Sequence, residues 1–397
     1  MLTAHGQVGG MHPGLPTLVL LASSSLVIAA DDPFAGLNLE AHGFASFGYL
    51  KTWGNNWLGE TLDGTDEFWE AAANVIARPL DRLRLGAQLI TRDLGNSING
   101  RVELDWAYAD WRASDELGVQ VGRIKIPYGL YGESVDVDAA RTTIFTSLLY
   151  GRKERDLRLT TDGAKLYGRV HEVDWALCAG QRQLQAGGDT ATSFRDSAGL
   201  AEVSDIHYDL LAAGMLHWHT PLPGLGLRLT LNWLNGLELA GPLALAPLEL
   251  AYSLPNTYAG VASALYERGD WTWSLEYARQ YASSQTTTLT PIGGGPASQT
   301  FGSLNRDIAC LGATWAVRPW CELYLGFDGL WEDPTDRHAK DFEETLVAAI
   351  DLLPTAHWSL KAEFRLTRGV ASVEPQLNPD GRDDHWQTLA LKTTVDF

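Results

Sequence analysis

Basic side chains concentrate in one part of the chain. Fifteen of the 30 Lys and Arg lie between Arg78 and Arg169, twelve of them Arg, against 13 acids. That stretch is near +2, so within a net charge of -19 the remainder is near -21. Arg82, Arg84 and Arg92 recur at even spacing, which puts them on one face of an extended strand. Arg123, Lys125, Lys165 and Arg169 follow on later extended segments, and Glu133, Asp136, Asp138 and Arg141 lie between them. A guanidinium is planar and always charged, so it suits anionic oxygens. A basic wall facing an acidic segment sets up a transverse field that orders polar solutes and water. The set expected to line such a constriction is Arg84, Arg92, Arg123, Lys125, Glu133, Asp136, Arg141, Lys165 and Arg169. The competing reading pairs these cations with Glu103, Asp105 or Asp156 as wall-filling ion pairs and leaves Arg152–Arg158 as a solvated face.

Other chemistry is weakly signalled. The chain carries no P-loop, GxSxG or HExxH pattern. His217 and His219 share a strand face with Asp209 nearby, but no third close ligand completes a metal set. His42 and Ser46 share another face, which is the basis for a barrel-hydrolase alternative. Cys178, Cys310 and Cys321 form an odd set without CxxC spacing and read as buried free thiols. No catalytic step, cofactor or metal is expected.

The elements that position these residues have period 2. Leu225, Leu227, Leu229, Leu231 and Trp233 alternate with Arg228, Thr230 and Asn232. Trp358, Leu360, Ala362, Phe364 and Leu366 alternate with Lys361, Glu363 and Arg365. Val102, Leu104, Trp106 and Tyr108 read as one apolar face against Glu103, Asp105 and Ala107. A slip of parity at Gly122 would keep Val121 and Ile124 outward and turn Arg123 and Lys125 inward, as a β-bulge does.

Sixteen strands follow from this rhythm. They are Leu39–Lys51, Phe68–Arg78, Arg82–Arg92, Val102–Arg112, Leu117–Ile126, Gly163–Val170, Val173–Arg182, Ser204–Thr220, Leu225–Asn235, Leu254–Glu267, Trp271–Ala282, Leu304–Val317, Cys321–Glu332, Phe342–Leu352, His357–Arg368 and His385–Phe397. Short turns alternate with long loops between them. The longest loop, Tyr128–Thr161, far exceeds an ordinary connection of about 4–6 residues. It is expected to fold inward and narrow the lumen.

Composition limits the class. Hydrophobic residues make up 45%, which excludes disorder, and the acidic balance argues against a nucleic-acid partner. A charged face opposite an apolar one, strand after strand, suits a water-filled lumen with lipid outside. Backbone in hydrocarbon must satisfy its own hydrogen bonds, so such a sheet must close. Trp69, Trp106, Trp111, Trp175, Trp218, Trp233, Trp271, Trp331 and Trp358 sit near strand ends, as interfacial girdles do. Residues 1–30 contain the apolar run Leu15–Ala30 ending in small residues, which reads as a signal peptide. Residues 31–38 then form a short periplasmic segment, and 39–397 the barrel.

Three features carry a family resemblance. The last strand, HWQTLALKTTVDF, ends on Phe397 and looks like the insertion signal of bacterial outer-membrane barrels. Strand count, loop rhythm and the long third external loop resemble the sixteen-stranded porins. The stretch VGRIKIPYGLYGES, Val121 to Ser134, followed by Arg141, is similar to uncharacterised porins related to the phosphate-selective group. No run of three closely spaced arginines matches a phosphate ladder. The resemblance implies an all-β transmembrane barrel in the bacterial outer membrane, a homotrimer, and lipopolysaccharide among its lipid contacts. Passive diffusion of small hydrophilic solutes is the expected function, with anion preference at the constriction. The alternatives are a channel selective for sugars or organic acids, a barrel hydrolase, and a soluble secreted β-protein.

Overall fold

A computed structural model describes residues 36–94, 100–291, 294–332 and 341–397. The expected signal peptide lies outside them. Eighteen strands form one antiparallel sheet. They are β1 (Glu40–Trp53), β2 (Phe68–Leu80), β3 (Leu83–Leu94), β4 (Val102–Arg112), β5 (Gly118–Lys125), β6 (Thr160–Val170), β7 (Val173–Gln183), β8 (Asp205–His219) and β9 (Leu225–Pro242). The chain continues with β10 (Leu248–Arg268), β11 (Trp271–Ala282), β12 (Gln285–Pro291), β13 (Ala297–Phe301), β14 (Leu304–Arg318), β15 (Cys321–Glu332), β16 (Phe342–Thr355), β17 (Trp358–Gly369) and β18 (His385–Asp396).

β1 pairs with β18, from Phe44–Asp396 to Trp53–Gln387, so the sheet closes. β11 pairs directly with β14, which leaves β12 and β13 as a hairpin on the loop end, laid against the extended part of β10. The ring itself has sixteen strands. This is the expected architecture, and all sixteen segments are present. β9 and β10 run further than their apolar alternation suggested, because they continue as a paired extension up to Pro242–Glu249.

The outer face is apolar. Leu177, Leu231, Leu325 and Leu346 are exposed, while Thr230, Glu276, Thr345 and Glu363 point inward and are buried. Exposed aromatics form two belts. Trp111, Trp218, Trp271, Trp315 and Trp358 lie at the short-turn end, where Trp271 and Trp315 stack at 5.4 Å. Trp53, Trp233, Tyr258 and Tyr281 lie toward the loop end. The three cysteines are free and buried.

Trp106 departs from its expected place. Gln88 pairs with Trp106 and Leu89 with Leu104, so Asp105 is an extra residue in the ladder. Parity flips there. Trp106 and Tyr108 stack at 5.1 Å, and Tyr108 packs against a buried inner cluster instead of lying on the outer face.

Two helices arise where only loops were expected: α1 (Arg152–Arg158) and α2 (Asp189–Ala198). α2 stops at Gly199, whose φ of 68° gives the left-handed terminus that L-residues resist. The two are joined by polar contact, since the Thr190 amide donates to Asp156 Oδ2 at 3.0 Å.

Candidate functional site: the loop across the lumen

β5 ends at Lys125 and β6 begins at Thr160, so the long loop spans residues 126–159. Its route begins at a kink. Gly122 has φ 131°, and beyond the Ala107–Arg123 pair β5 no longer pairs with β4. The chain then leaves the wall. Register across β5 stays continuous, so the parity slip takes a different form from the one expected. Ile124 is fully buried in the inner cluster with Ile126, not turned outward.

From there the loop crosses the barrel and bonds to strands on every side. Arg228 on β9 donates to the carbonyls of Gly129 and Leu130, both at 3.0 Å. Glu276 on β11 accepts from the Leu130 amide and the Tyr150 hydroxyl, both at 2.7 Å. Glu322 on β15 meets Thr142 at 2.8 Å. Glu363 on β17 accepts from the amides of Ile144 and Phe145, at 2.5 and 3.1 Å. These wall carboxylates satisfy loop backbone donors that are shut away from water.

The sequence-selected residues fall into pairs. Arg84 Nη2 meets Asp110 Oδ2 at 3.0 Å and lies over the Tyr108 ring at 5.4 Å. Arg123, opposite Ala107 and Asp162, shares the face of the exposed Val121 and not the inner face expected for it; it makes a two-point bond to Asp162, at 2.7 and 2.9 Å, and donates to the Leu104 carbonyl. Lys125 sits between Asp105, at 3.0 Å, and Asp136. Lys165 meets Glu133 at 2.8 Å. Arg169 grips Asp174, which also bonds His219 at 2.7 Å. Arg141 holds its own loop, donating to the Val135 carbonyl at 2.7 Å. Arg92 is buried near the loop end of β3, in the electrostatic reach of Glu103 and Arg155.

The arrangement therefore differs from a bare basic wall. Arg84, Arg123, Lys125, Arg141, Lys165 and Arg169 each lie beside a carboxylate. Parity indicated a face for these cations, and only the fold supplied their partners. Asp136 also pairs with Arg155 of α1, whose guanidinium burial pulls down to about 10, so it stays charged at neutral pH. Arg155 thus faces inward and does not belong to a solvated face. Below the loop, Arg84, Gln120, Glu133, Lys165, Tyr167, Arg169 and Asp174 line a cavity of about 510 Å³ toward the short-turn end. His217 and His219 stack at 4.6 Å there, beside Arg169 and Asp174.

One residue was passed over as a member of the site. Asp138 lies at the loop tip, 2% exposed. It meets Lys392 at 3.0 Å, Lys361 at 3.2 Å, Thr394 at 2.8 Å and Arg141 at 3.3 Å. Burial alone would raise its carboxyl, but Lys392, Arg141 and Lys361 outweigh it and hold the group below the ordinary carboxylate range. The folded value is thus lower than the unfolded one. Its stabilisation is complete above the unfolded pKa, about 3.9, and is lost only as pH falls through the folded value. Hydrogen exchange of residues 136–146, corrected for intrinsic rates, should show the same protection at pH 7 as at pH about 4. Loss of protection at the lower pH would mean that a carboxylate holding this stretch, Asp138, Glu322 or Glu363, is protonated there.

No family model matches the chain, and no curated protein matches it. Solved structures do. OmpF of Salmonella typhi, in complex with daunomycin, has a TM-score of 0.58 at 10% identity, over 91% of this chain and 98% of that one. OmpT of Vibrio cholerae, an outer membrane protein folded in vitro, has 0.55 at 10% identity, over 94% and 100%. The outer membrane channel DcaP of Acinetobacter baumannii has 0.55 at 10% identity, over 93% and 100%. At such identities the likeness carries the architecture alone: this chain has the closed sixteen-stranded antiparallel barrel of those outer-membrane proteins.

Proposed function

We propose that the chain is a passive channel of the bacterial outer membrane for small hydrophilic solutes, with no catalytic step. The observation that carries this is a closed barrel with an apolar, aromatic-belted outer face and a charged interior crossed by one loop. Lipid and lumen explain those two faces together. Lipopolysaccharide contact and a trimer follow from the resemblance to porins. The phosphate-selective branch of that resemblance has no arginine ladder here to support it.

The pairing of the lumen cations favours weak ion discrimination over a strong anion preference. Lys125 is flanked by two carboxylates, and Lys165 is held by Glu133. A second reading, a channel selective for sugars or organic acids, gains support from Trp106 and Tyr108, which stack on the inner side with Arg84 over the Tyr108 ring.

Single-channel recording in a planar bilayer, with a salt gradient, tests these readings. Stable ohmic steps with a reversal potential near zero are expected. Lys125→Ala uncovers Asp105 and Asp136, so it should move the reversal potential toward cations. Strong anion selectivity in the wild type, lost in Lys125→Ala, would restore the basic-constriction reading. Block of the current by an added sugar would favour the selective channel. Absence of any current would end the channel reading.

A further inference from the structure

The β12–β13 hairpin stands outside the ring, because β11 pairs directly with β14. β12 lies along the loop-end part of β10, from Leu248–Pro291 to Ser253–Thr286. Cross-strand partners point to one face, so Tyr252 and Thr287 share a side, and Gln285, two residues before Thr287, shares it with Phe301. That side is the inner one, since Tyr252 packs against the buried inner cluster. Phe194 of α2 leans on Tyr252, with ring centroids 5.1 Å apart. Leu304 pairs with Ala282, which packs against the same cluster. Between α2, β10 and the hairpin these residues leave a groove of about 490 Å³ at the loop end of the lumen.

Two properties of the groove point to its occupant. Its walls are apolar yet open to water: Phe301 and Leu304 are 46% and 57% exposed. They lie on the inner side, so the apolar outer face does not account for them, and an exposed apolar patch in a concave surface marks a binding site. The groove is also uncharged. No residue from Gln280 to Asn305 carries a charge, in a chain that is 20% charged, and none of the described residues lining the groove does. Its polar side chains are few. The Tyr252 hydroxyl donates to Gln285 Oε1 at 2.6 Å, and Thr287 and Ser303 add two hydroxyls. A sugar carries hydroxyls on every edge, and those shut away from water without a partner oppose binding. An aromatic ring needs no hydrogen bond for its faces, stacks on Phe and Tyr, and brings only one or two hydroxyls to satisfy.

We infer that this groove binds a small uncharged aromatic solute of the phenol class at the loop end of the lumen. The rings of Phe194, Tyr252 and Phe301 hold its faces, and Gln285, Thr287 and Ser303 meet its hydroxyl edge. A carboxylate on the ring would leave water with no cation to receive it, so charged aromatics are rejected. The site goes beyond the channel reading and does not depend on it, since binding is read without current.

The test uses the full-length chain in lipid nanodiscs, with empty discs as the blank and heat-modifiable migration on gels as the check on folding. The probe is resorcinol, titrated by saturation-transfer NMR. Phe301→Ala removes a ring, and Leu304→Asp puts a charge in the groove; both side chains are exposed, so neither change opens the core. Leu245→Ala removes an exposed leucine outside the groove and serves as the control. Saturable binding to the wild type is expected, at least about fivefold weaker in Phe301→Ala and Leu304→Asp and unchanged in Leu245→Ala. Benzoate should bind at least about fivefold more weakly than resorcinol. No saturable binding, or equal binding by the wild type and both groove variants, overturns the site. Binding of glucose or benzoate as tight as that of resorcinol overturns the ligand class.

Discussion

Deleting residues 385–397 should leave no folded barrel. These residues form β18, which pairs with β17 from Trp358–Val395 to Arg368–His385, and with β1 along its other edge. Phe397 extends that edge, exchanging both backbone hydrogen bonds with Gly43. Without β18 two rows of amides and carbonyls lose their partners, and in the proposed membrane setting each unsatisfied group costs several kcal/mol. No local repair is open, because β1 and β17 would have to close over a missing strand. Lys392 and Thr394 leave as well, so the loop loses two of its far anchors. The truncated chain is expected to migrate at its denatured position with or without boiling, and to give no current. A heat-modifiable band from it would contradict the closed ring described above.

Gly122→Val should destabilise the barrel strongly. Gly122 has φ 131°, a region that L-residues seldom adopt. A Cβ placed there would stand 2.2 Å from the Ala107 carbonyl oxygen and 3.0 Å from the Tyr108 Cα. Both neighbours are backbone of β4, so neither can swing aside. The conformational strain alone is on the order of 3 kcal/mol, and the clash adds to it. Gly122 pairs with Gly163, and Gly163 with Gly180, so a row of glycines crosses β5, β6 and β7. The substitution therefore strikes the point at which β5 leaves the wall and the loop starts. Denaturant unfolding followed by tryptophan fluorescence should show a clearly lower midpoint, with Gly122→Ala less affected than Gly122→Val. An unchanged midpoint for the valine variant would mean that β5 takes another path.

Much of the architecture was written in the alternation. A strand between water and lipid must separate its residues with period 2, and the pattern in β9 and β17 is that separation. Turn length gave the two ends, since tight hairpins and long loops cannot be exchanged without breaking register. The inward loop was legible from its length and charge. The helices within it and after β7 were not, because their apolar residues are few and find partners only inside the barrel. Trp106 and Tyr108 were misplaced because one extra residue, Asp105, reverses every side chain beyond it, and alternation alone does not reveal a bulge.

The sequence by itself determined that this chain is a sixteen-stranded barrel with a charged interior and an inward loop. Those properties follow from local rules: parity, turn length and the need of buried backbone for partners. Only the tertiary structure decided which charges meet. Asp138 and Lys392 are separated by 254 residues and Asp138 and Lys361 by 223, yet closure of the ring brings all three to one point. Parity tells which face a lysine occupies. It does not tell which acid from a distant loop arrives opposite, because that depends on how the ring closes and where the loop crosses it.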